Sequence, residues 1–565
     1  MGHEKIGLIF MSVVLVTGCG GSGVNFDYPT RRGEITPSGV RLGGVFRMNE
    51  EGTPRSLDPV RIGDSVSHHI GQQIFDSVLT FDDDLELRPG IAESYELSGD
   101  GLVYTFKIRS GVRFQDDPCF PGGRGREVTA HDVAYSLTRN LIPANLSTGV
   151  WLFDTLVEGA KEFLEGQADH VSGFRVLDDS TFQIRLKKPF APFPYRLAMS
   201  YCFVVPREAV EHYGQDFFQH PVGTGPFRFA YWKPNQELLL VRNLNYWQKD
   251  ADGVSLPYLD AIRISFINDL KIAFLEFDLG NLDFVQEIHD DIWSKVFDET
   301  GRVRPAYQKY QIDGRLMWIT QYYGFNLTKP PFKDNRALRQ AFNYAIDRES
   351  LIKYVLNGRG EAARGVVPPN MPGYTSRVEG YPFNLEKARK LMAQAGYPNG
   401  EGLGEITLQL NSAGTLNENV AEAVQEQLSK IGVKVQLRVV DWSQHLESLD
   451  NYEPVFFRMA WVADWPEPEN FLALLYGSNL SPAGPNHTAY ANPEFDRLYE
   501  QAIATPDEAE RYALYQQAEQ IAVEDAPWLF LYNTKRYNVR QPYVRNMRLN
   551  AQELMFLTRV WLDEP

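Results

Sequence analysis

The chain has 565 residues, 43% of them hydrophobic and 13% aromatic, and a formal net charge of −17. At roughly 150 residues per domain this makes three or four structural units, with a sizeable core and aromatic residues to spare for a lined cleft. The charge argues against nucleic acid and anionic membrane surfaces as partners.

The N-terminus reads as an address. Met1 to Lys5 is short and polar, and Ile6 to Val16 is an apolar run of 11 residues. That is too short to span a bilayer and right for a signal-peptide core, so residues 1–18 read as a signal peptide. Val16-Thr17-Gly18-Cys19 resembles a bacterial lipobox, which makes Cys19 the expected lipidation site. Gly20 to Gly44 is rich in Gly, Pro and polar residues and reads, with Cys19, as a flexible lipid-anchored tether over 19–44. Two cysteines remain, Cys119 and Cys202. In an oxidising compartment they could pair, or stand as separate thiols. No other segment has the unbroken apolar length of a transmembrane helix.

Val45 to Met48 predicts a first strand, and Val66 to Leu79 has helical spacing with Ile70, Ile74, Phe75 and Val78 on one face. Asp82-Asp83-Asp84 reads as a solvated turn. Ser94 to Leu97 and Val103 to Ile108 form a hairpin around a Gly-Asp-Gly turn, and Gly111 to Phe114 continues that sheet. Asp116 to Gly125 is a Pro/Gly-rich loop, and Thr129 is the expected N-cap of a helix opening at Val128. Phe174 to Leu186 is a second hairpin, and PVGTGPF from Pro221 is a tight turn before the strand Phe227 to Trp232. Asp334 to Tyr354 reads as one long amphipathic helix and Asn384 to Ala395 as another. Ile406 to Leu410, Asn417 to Lys430 and Val433 to Val440 make a strand-helix-strand unit, which favours a parallel sheet. Asn492 to Ala504 and Asp507 to Glu524 are helices, followed by the strand Pro527 to Tyr532.

The most informative stretch is FFRMAWVADWPEPENFL, Phe456 to Leu472. Its first half suits a buried strand, and Asp464 stands at that strand's C-terminal end between Trp461 and Trp465. Open α/β proteins place ligand-contacting groups there. An Asp before a proline also caps helices, so the residues alone leave both roles open. No catalytic or metal-binding motif accompanies it: HExxH, P-loop, GxSxG and CxxC are all missing. His68-His69 point in different directions on a helix and read as solvated or capping residues. Glu467 and Glu469 could form a carboxylate pair, with directions the sequence does not fix. No cofactor is expected.

In order, LDP at Leu57, RPGIAESYELSGDGLVYTFKIRSGVRF from Arg88, VTAHDVAYSLTR from Val128, PVGTGPF, FKDNRALRQAFNYAIDRESL from Phe332, KIGVKVQL from Lys430 and the Asp464 stretch resemble the family 5 extracellular solute-binding proteins of ABC importers. That family includes oligopeptide, dipeptide and nickel binders. The longer Cys-bearing loop Gln115 to Glu127, the tether and Cys202 depart from its pattern. The resemblance implies an α/β, type II periplasmic-binding-protein fold: two lobes joined by two hinge crossings, with an extra subdomain on the first. It places lobe I at 45–84, 221–320 and 530–565, the extra subdomain at 85–220 and lobe II at 321–529. It further implies that Asp464 anchors the α-amino group of a small peptide, while Ala460, Trp461 and Val462 bond its backbone as an added strand. Trp461 would also wall a pocket, Arg458 would meet a ligand carboxylate, and Gly63, Asp64 and Ser65 would supply opposing contacts. The expected partner is an ABC permease, the expected state a monomer, and the only membrane contact the lipid anchor, on the periplasmic or extracellular face of the envelope. An exported hydrolase using Glu467 or Glu469, a sensory or adhesive lipoprotein, and a receptor for sugars, opines or metal chelates are the alternatives on the same scaffold.

Overall fold

Two long antiparallel strands, Gln311–Phe325 and Trp528–Arg540, run side by side. Their register slips between Leu316 and Thr320, so the chain kinks at Met317–Ile319 with all three side chains buried. The first of these strands was not expected, and the second extends well beyond Tyr532. The computed structural model describes residues 28–563 apart from 32, 412 and 413; the expected signal peptide and Cys19 lie outside the described residues.

These strands are central in an 11-stranded mixed sheet. On one side stand Phe456–Val462, Glu405–Asn411 and Lys434–Val440, joined by parallel pairings. On the other stand Phe284–Val285, Val45–Glu50, Ala261–Phe266, Glu237–Arg242 and Phe227–Lys233, with Val45–Glu50 parallel to Ala261–Phe266. Gly360–Ala362 pairs on Trp528–Arg540. The helix Thr415–Ser429 links Glu405–Asn411 to Lys434–Val440, so the predicted strand-helix-strand unit is present with its parallel pairing. A separate four-stranded antiparallel sheet holds both predicted hairpins, in the order Ala92–Leu97, Val103–Ile108, Thr181–Arg185, Phe174–Asp178.

Several elements differ from the pattern reading. The first helix is Ser65–Ile74 and stops five residues early, because the PVGTGPF turn takes its last carbonyl: Gly225 N–H donates to Ile74 O at 2.9 Å and Gln115 Nε2 at 3.0 Å. A Cβ at Gly223 or Gly225 would sit 2.3 or 2.5 Å from Ile74 backbone atoms, so only glycine admits this contact. Gly111 to Phe114 forms no strand and makes a single bridge, Arg113 to Glu127. The tether is ordered near its end: Ile35 bridges Arg41, and Arg31 N–H donates to Asp260 Oδ1 at 3.1 Å. Cys119 and Cys202 are free thiols. Cys119 sits in a loop fixed by Asp117 and Tyr213, while Cys202 is buried with its Sγ on Arg196 O at 3.3 Å.

The long helix expected over 334–354 is two, Arg336–Ala345 and Arg348–Tyr354. Ile346 is extended, and Asp347 caps the second helix, accepting from Ser350 N (3.1 Å) and Ser350 Oγ (2.6 Å). Arg348 then turns inward to donate to Phe530 O at 2.7 Å. Asp347→Ala is expected to cost about 1 kcal/mol, read as a lower urea midpoint at unchanged slope.

Candidate functional site

A cavity of about 740 Å³ lies where the C-terminal end of Phe456–Val462 meets the helix Ser65–Ile74 and the C-terminal segment around Gln552. Val462, Ala463 and Asp464 line one wall; Gly63, Asp64, Ser65 and His68 line another; Gln552 to Leu554 close a third. That volume suits a ligand of drug or short-peptide size. The kink residue Trp318 ties two of these walls together. Its N–H donates to Ala551 O at 3.0 Å and its carbonyl accepts from Ala463 N–H at 2.9 Å.

Asp464 does not cap the helix that follows. That helix, Glu469–Leu472, begins at Pro468 without a side-chain cap. Asn470 instead folds back on the turn: its Oδ1 accepts from Trp461 Nε1 (2.8 Å) and Asp464 N–H (3.0 Å), and its Nδ2 donates to Asp464 Oδ2 at 3.0 Å. The carboxylate is thus fixed through one oxygen, and Asp464 lines the cavity. Burial pushes its carboxyl above the ordinary range, while Asn470 and the nearby Arg196 cation pull it back.

The cavity brings together Gly63, Asp64, Ser65, Val462 and Asp464 of the predicted set; Arg458, Ala460 and Trp461 do not line it. Asp64 is occupied as the N-cap of Ser65–Ile74, accepting from Ser67 N at 2.9 Å. Trp461 is half-buried and serves Asn470. Arg458 forms no ion pair among the described residues; it donates to Asn411 Oδ1 (3.0 Å) and Gln321 Oε1 (2.8 Å). Burial lowers its pKa, and three tyrosines oppose that shift. Glu405–Asn411 pairs with Phe456 and Phe457 only, leaving Arg458 to Val462 without a strand neighbour on that side among the described residues, although His445 Nε2 meets the Arg458 carbonyl at 2.9 Å.

Sequence reasoning missed the groups that cover the Asp464 turn. Trp151 stacks on Trp465 with centroids 6.0 Å apart, and the Arg196 guanidinium lies over Trp151, Phe190 and Trp465 at 5.3, 4.8 and 5.4 Å. His69 is buried and His68 half-buried against the cavity, rather than solvated. His69 Nδ1 meets Glu50 Oε1 at 2.9 Å; burial opposes the charge on its ring, and Glu50 and Glu553 together outweigh it and raise the pKa. Burial, and then the charge on His69, hold His68 down to about 3, so it is neutral.

Neither Glu467 nor Glu469 lines the cavity. Glu467 pairs with Arg511 at 2.6 Å, and Glu469 accepts from Tyr499 at 2.7 Å. Ser481, His487 and Asp450 come close, but Ser481 Oγ and Asp450 Oδ1 share His487 Nδ1 at 2.7 and 3.6 Å, which is not the two-nitrogen relay of a nucleophile triad. Among the described residues no group of three or more His, Cys, Asp or Glu could hold a metal ion, and no helix is long and apolar enough to cross a membrane.

The model for bacterial extracellular solute-binding proteins, family 5 (middle), matches residues 86–482, well over half of the chain. The chain belongs to this family. The glutathione-binding protein GsiB of Pectobacterium atrosepticum is 31% identical over 484 residues, covering 84% of this chain and 86% of that one. Heme-binding protein A of Haemophilus influenzae is 30% identical over 494 residues, covering 84% of each. Among solved structures, the ABC transporter-associated periplasmic binding protein DppA of Helicobacter pylori, in complex with the peptide STSA, superposes with a TM-score of 0.75 at 26% identity. That match covers 93% of this chain and 99% of DppA. The fold is therefore the type II periplasmic-binding-protein fold, as the motifs implied. These relatives are binding proteins by name.

Proposed function

We propose that this solute-binding protein captures a small peptide with a free α-amino group between two closing lobes and delivers it to an ABC permease. The carrying observation is the cavity itself, with a half-satisfied carboxylate, Asp464, on one wall and the Gly63–Ser65 segment on the opposite one. The lobes are 45–84, 221–320 and 530–565 against 321–529, with 85–220 as the extra subdomain, and two hinge crossings join them, the first next to the kink at Met317–Ile319. Asp464 takes the ligand ammonium in a charge-assisted hydrogen bond. The open edge of Arg458–Val462 takes the ligand backbone, through Ala460, Trp461 and Val462, and Arg458, which lacks a carboxylate partner, takes a ligand carboxylate. Cys19 carries the lipid, the protein works as a monomer in the envelope, and no hydrolysis follows capture.

The test is thermal unfolding of the chain from residue 20 onward against di- to pentapeptides, with Asp464→Ala alongside. A peptide at 100 times its Kd should add about 2.7 kcal/mol of stability. Asp464→Ala should lose roughly 2 kcal/mol of that peptide's binding. Glutathione, which has a free amine, and heme, which has none, belong in the same screen because relatives carry those names. Stabilisation by heme that Asp464→Ala retains would move the reading to a non-peptide solute.

A further inference from the structure

The helix Ser65–Ile74 and its two flanks carry a polar face along the cavity. Asp64, His68, Gln72 and Asp76 recur every four residues, and all of them line it. The first of them lies by Asp464: burial raises the pKa of Tyr201, also on the cavity wall, and the carboxylates of Asp464 and Asp64 both add to that rise. Gln72 is seven residues past Ser65, so it stands about 10 Å further down the wall.

Gln72 is aimed from behind. Met555 N–H donates to its Oε1 at 3.0 Å, and Gln73 Nε2 donates to Met555 O at 2.7 Å, which straps the C-terminal segment to the helix. Because its partner is an N–H, the Gln72 amide cannot be flipped: oxygen faces Met555 and nitrogen faces away. That nitrogen, Nε2, has no acceptor among the described residues, yet it keeps contact with solvent, and the side chain is half-buried in the cavity wall. A ligand cavity recognises its occupant through a few such oriented polar groups. The neighbours of Gln72 set the charge of what it can take. His68, one turn back, stacks on Phe203 and is neutral. Asp76, one turn on, is a carboxylate held by Thr224 Oγ1 at 2.9 Å and Trp247 Nε1 at 3.2 Å. On this face a ligand carboxylate would meet a like charge and no cation, whereas a carbonyl oxygen is free of that repulsion.

We propose that Gln72 is a specificity-determining residue whose Nε2 donates to a backbone carbonyl of the bound peptide, that of its third residue. An extended chain covers about 10 Å in three residues, which matches the run of the wall from Ser65 to Gln72. The inference rests on the amine-anchor reading and deepens it, because it narrows the ligand class to peptides longer than two residues.

The experiment takes the best free-amine peptide of that length as its C-terminal amide, with one carbonyl oxygen at a time replaced by sulfur, a weaker acceptor. Each form is titrated calorimetrically into the wild type, Gln72→Glu, Gln72→Met and Asp464→Ala. Gln72→Glu keeps the oxygen that Met555 binds and removes the donor; Gln72→Met removes the donor without adding charge. Sulfur at the third carbonyl should weaken binding to the wild type about fivefold and cost little in either Gln72 variant. A penalty that both variants leave unchanged overturns the proposal, and so does the absence of any penalty at the third carbonyl. Binding of the free acid alone, or of dipeptides alone, overturns it as well. All these outcomes leave the amine anchor standing. If Asp464→Ala binds the free-amine peptide as the wild type does, or no free-amine peptide binds the wild type, the anchor reading falls and this inference with it.

Discussion

Arg511→Met is expected to destabilise the protein by roughly 3–5 kcal/mol, because it strands a buried carboxylate. Glu467 has no exposed surface and Arg511 is 6% exposed, with Arg511 Nε donating to Glu467 Oε1 at 2.6 Å. Arg511 also donates from Nη1 to Thr505 O (3.2 Å) and Pro506 O (3.0 Å), tying the turn between two helices to the Asp464 segment. Burial pushes the Glu467 carboxyl up to about 7, and Arg511, itself raised by that carboxylate, is what draws it back. Without the cation the carboxyl rises further. Its folded pKa, above the unfolded value even with the cation present, then exceeds it by more, so the folded form binds the proton more tightly and stability falls more steeply as pH rises. The deficit of Arg511→Met should accordingly be larger at pH 8 than at pH 5 in urea unfolding. Glu467→Gln in the same chain should restore much of it, since the charge that needed compensation is gone. A deficit that is independent of pH and not relieved by Glu467→Gln would mean that lost packing, not a stranded charge, is the cause.

This pair shows where sequence reading stops. The strand Phe456–Val462 and the helices at 493 and 508 follow from local apolar patterns, and so does the parallel unit around Thr415–Ser429. The role of Asp464 does not, because capping and ligand anchoring share one local signature. Only the structure shows that Asn470, six residues on, occupies one of the Asp464 carboxylate oxygens and two other groups nearby. His68-His69 read as solvated because nothing local announces Glu50, 19 residues earlier, as the partner that makes burial tolerable. Gln311–Phe325 begins with exposed polar residues and ends fully buried, so no single alternation marks it as a strand. The Gln552 contact with Ala463 spans 89 positions, and no spacing rule reaches that far.

Arg196→Met is the second large effect, and it bears on closure. The guanidinium belongs to the segment between the hairpin sheet and PVGTGPF, where its Nη1 donates to Trp151 O and Leu152 O at 3.1 Å each. Those bonds orient it within its own side of the cleft. Across the cleft it meets the face of Trp465, while Trp151 stacks on the same indole. Burial works against its charge, and Glu469 and Asp464 are among the groups that answer it, yet it forms no ion pair with either among the described residues. Its attraction to the far side is therefore cation–π and long-range Coulomb, both strong in a dry site and, on the proposed two-lobed closure, both present only when the cleft is shut. Methionine keeps much of the volume and removes the charge. Affinity for the best peptide should fall by roughly 2–3 kcal/mol, or 30- to 150-fold in Kd. The ligand-free protein should show a larger radius of gyration in X-ray scattering, with its unfolding midpoint little changed. Arg196→Lys should recover only part of the affinity, because an ammonium lacks the planar face that lies over the two indoles and Phe190. Unchanged affinity and radius in Arg196→Met would confine Arg196 to packing within its own subdomain and leave the Trp151–Trp465 stack to close the cleft alone.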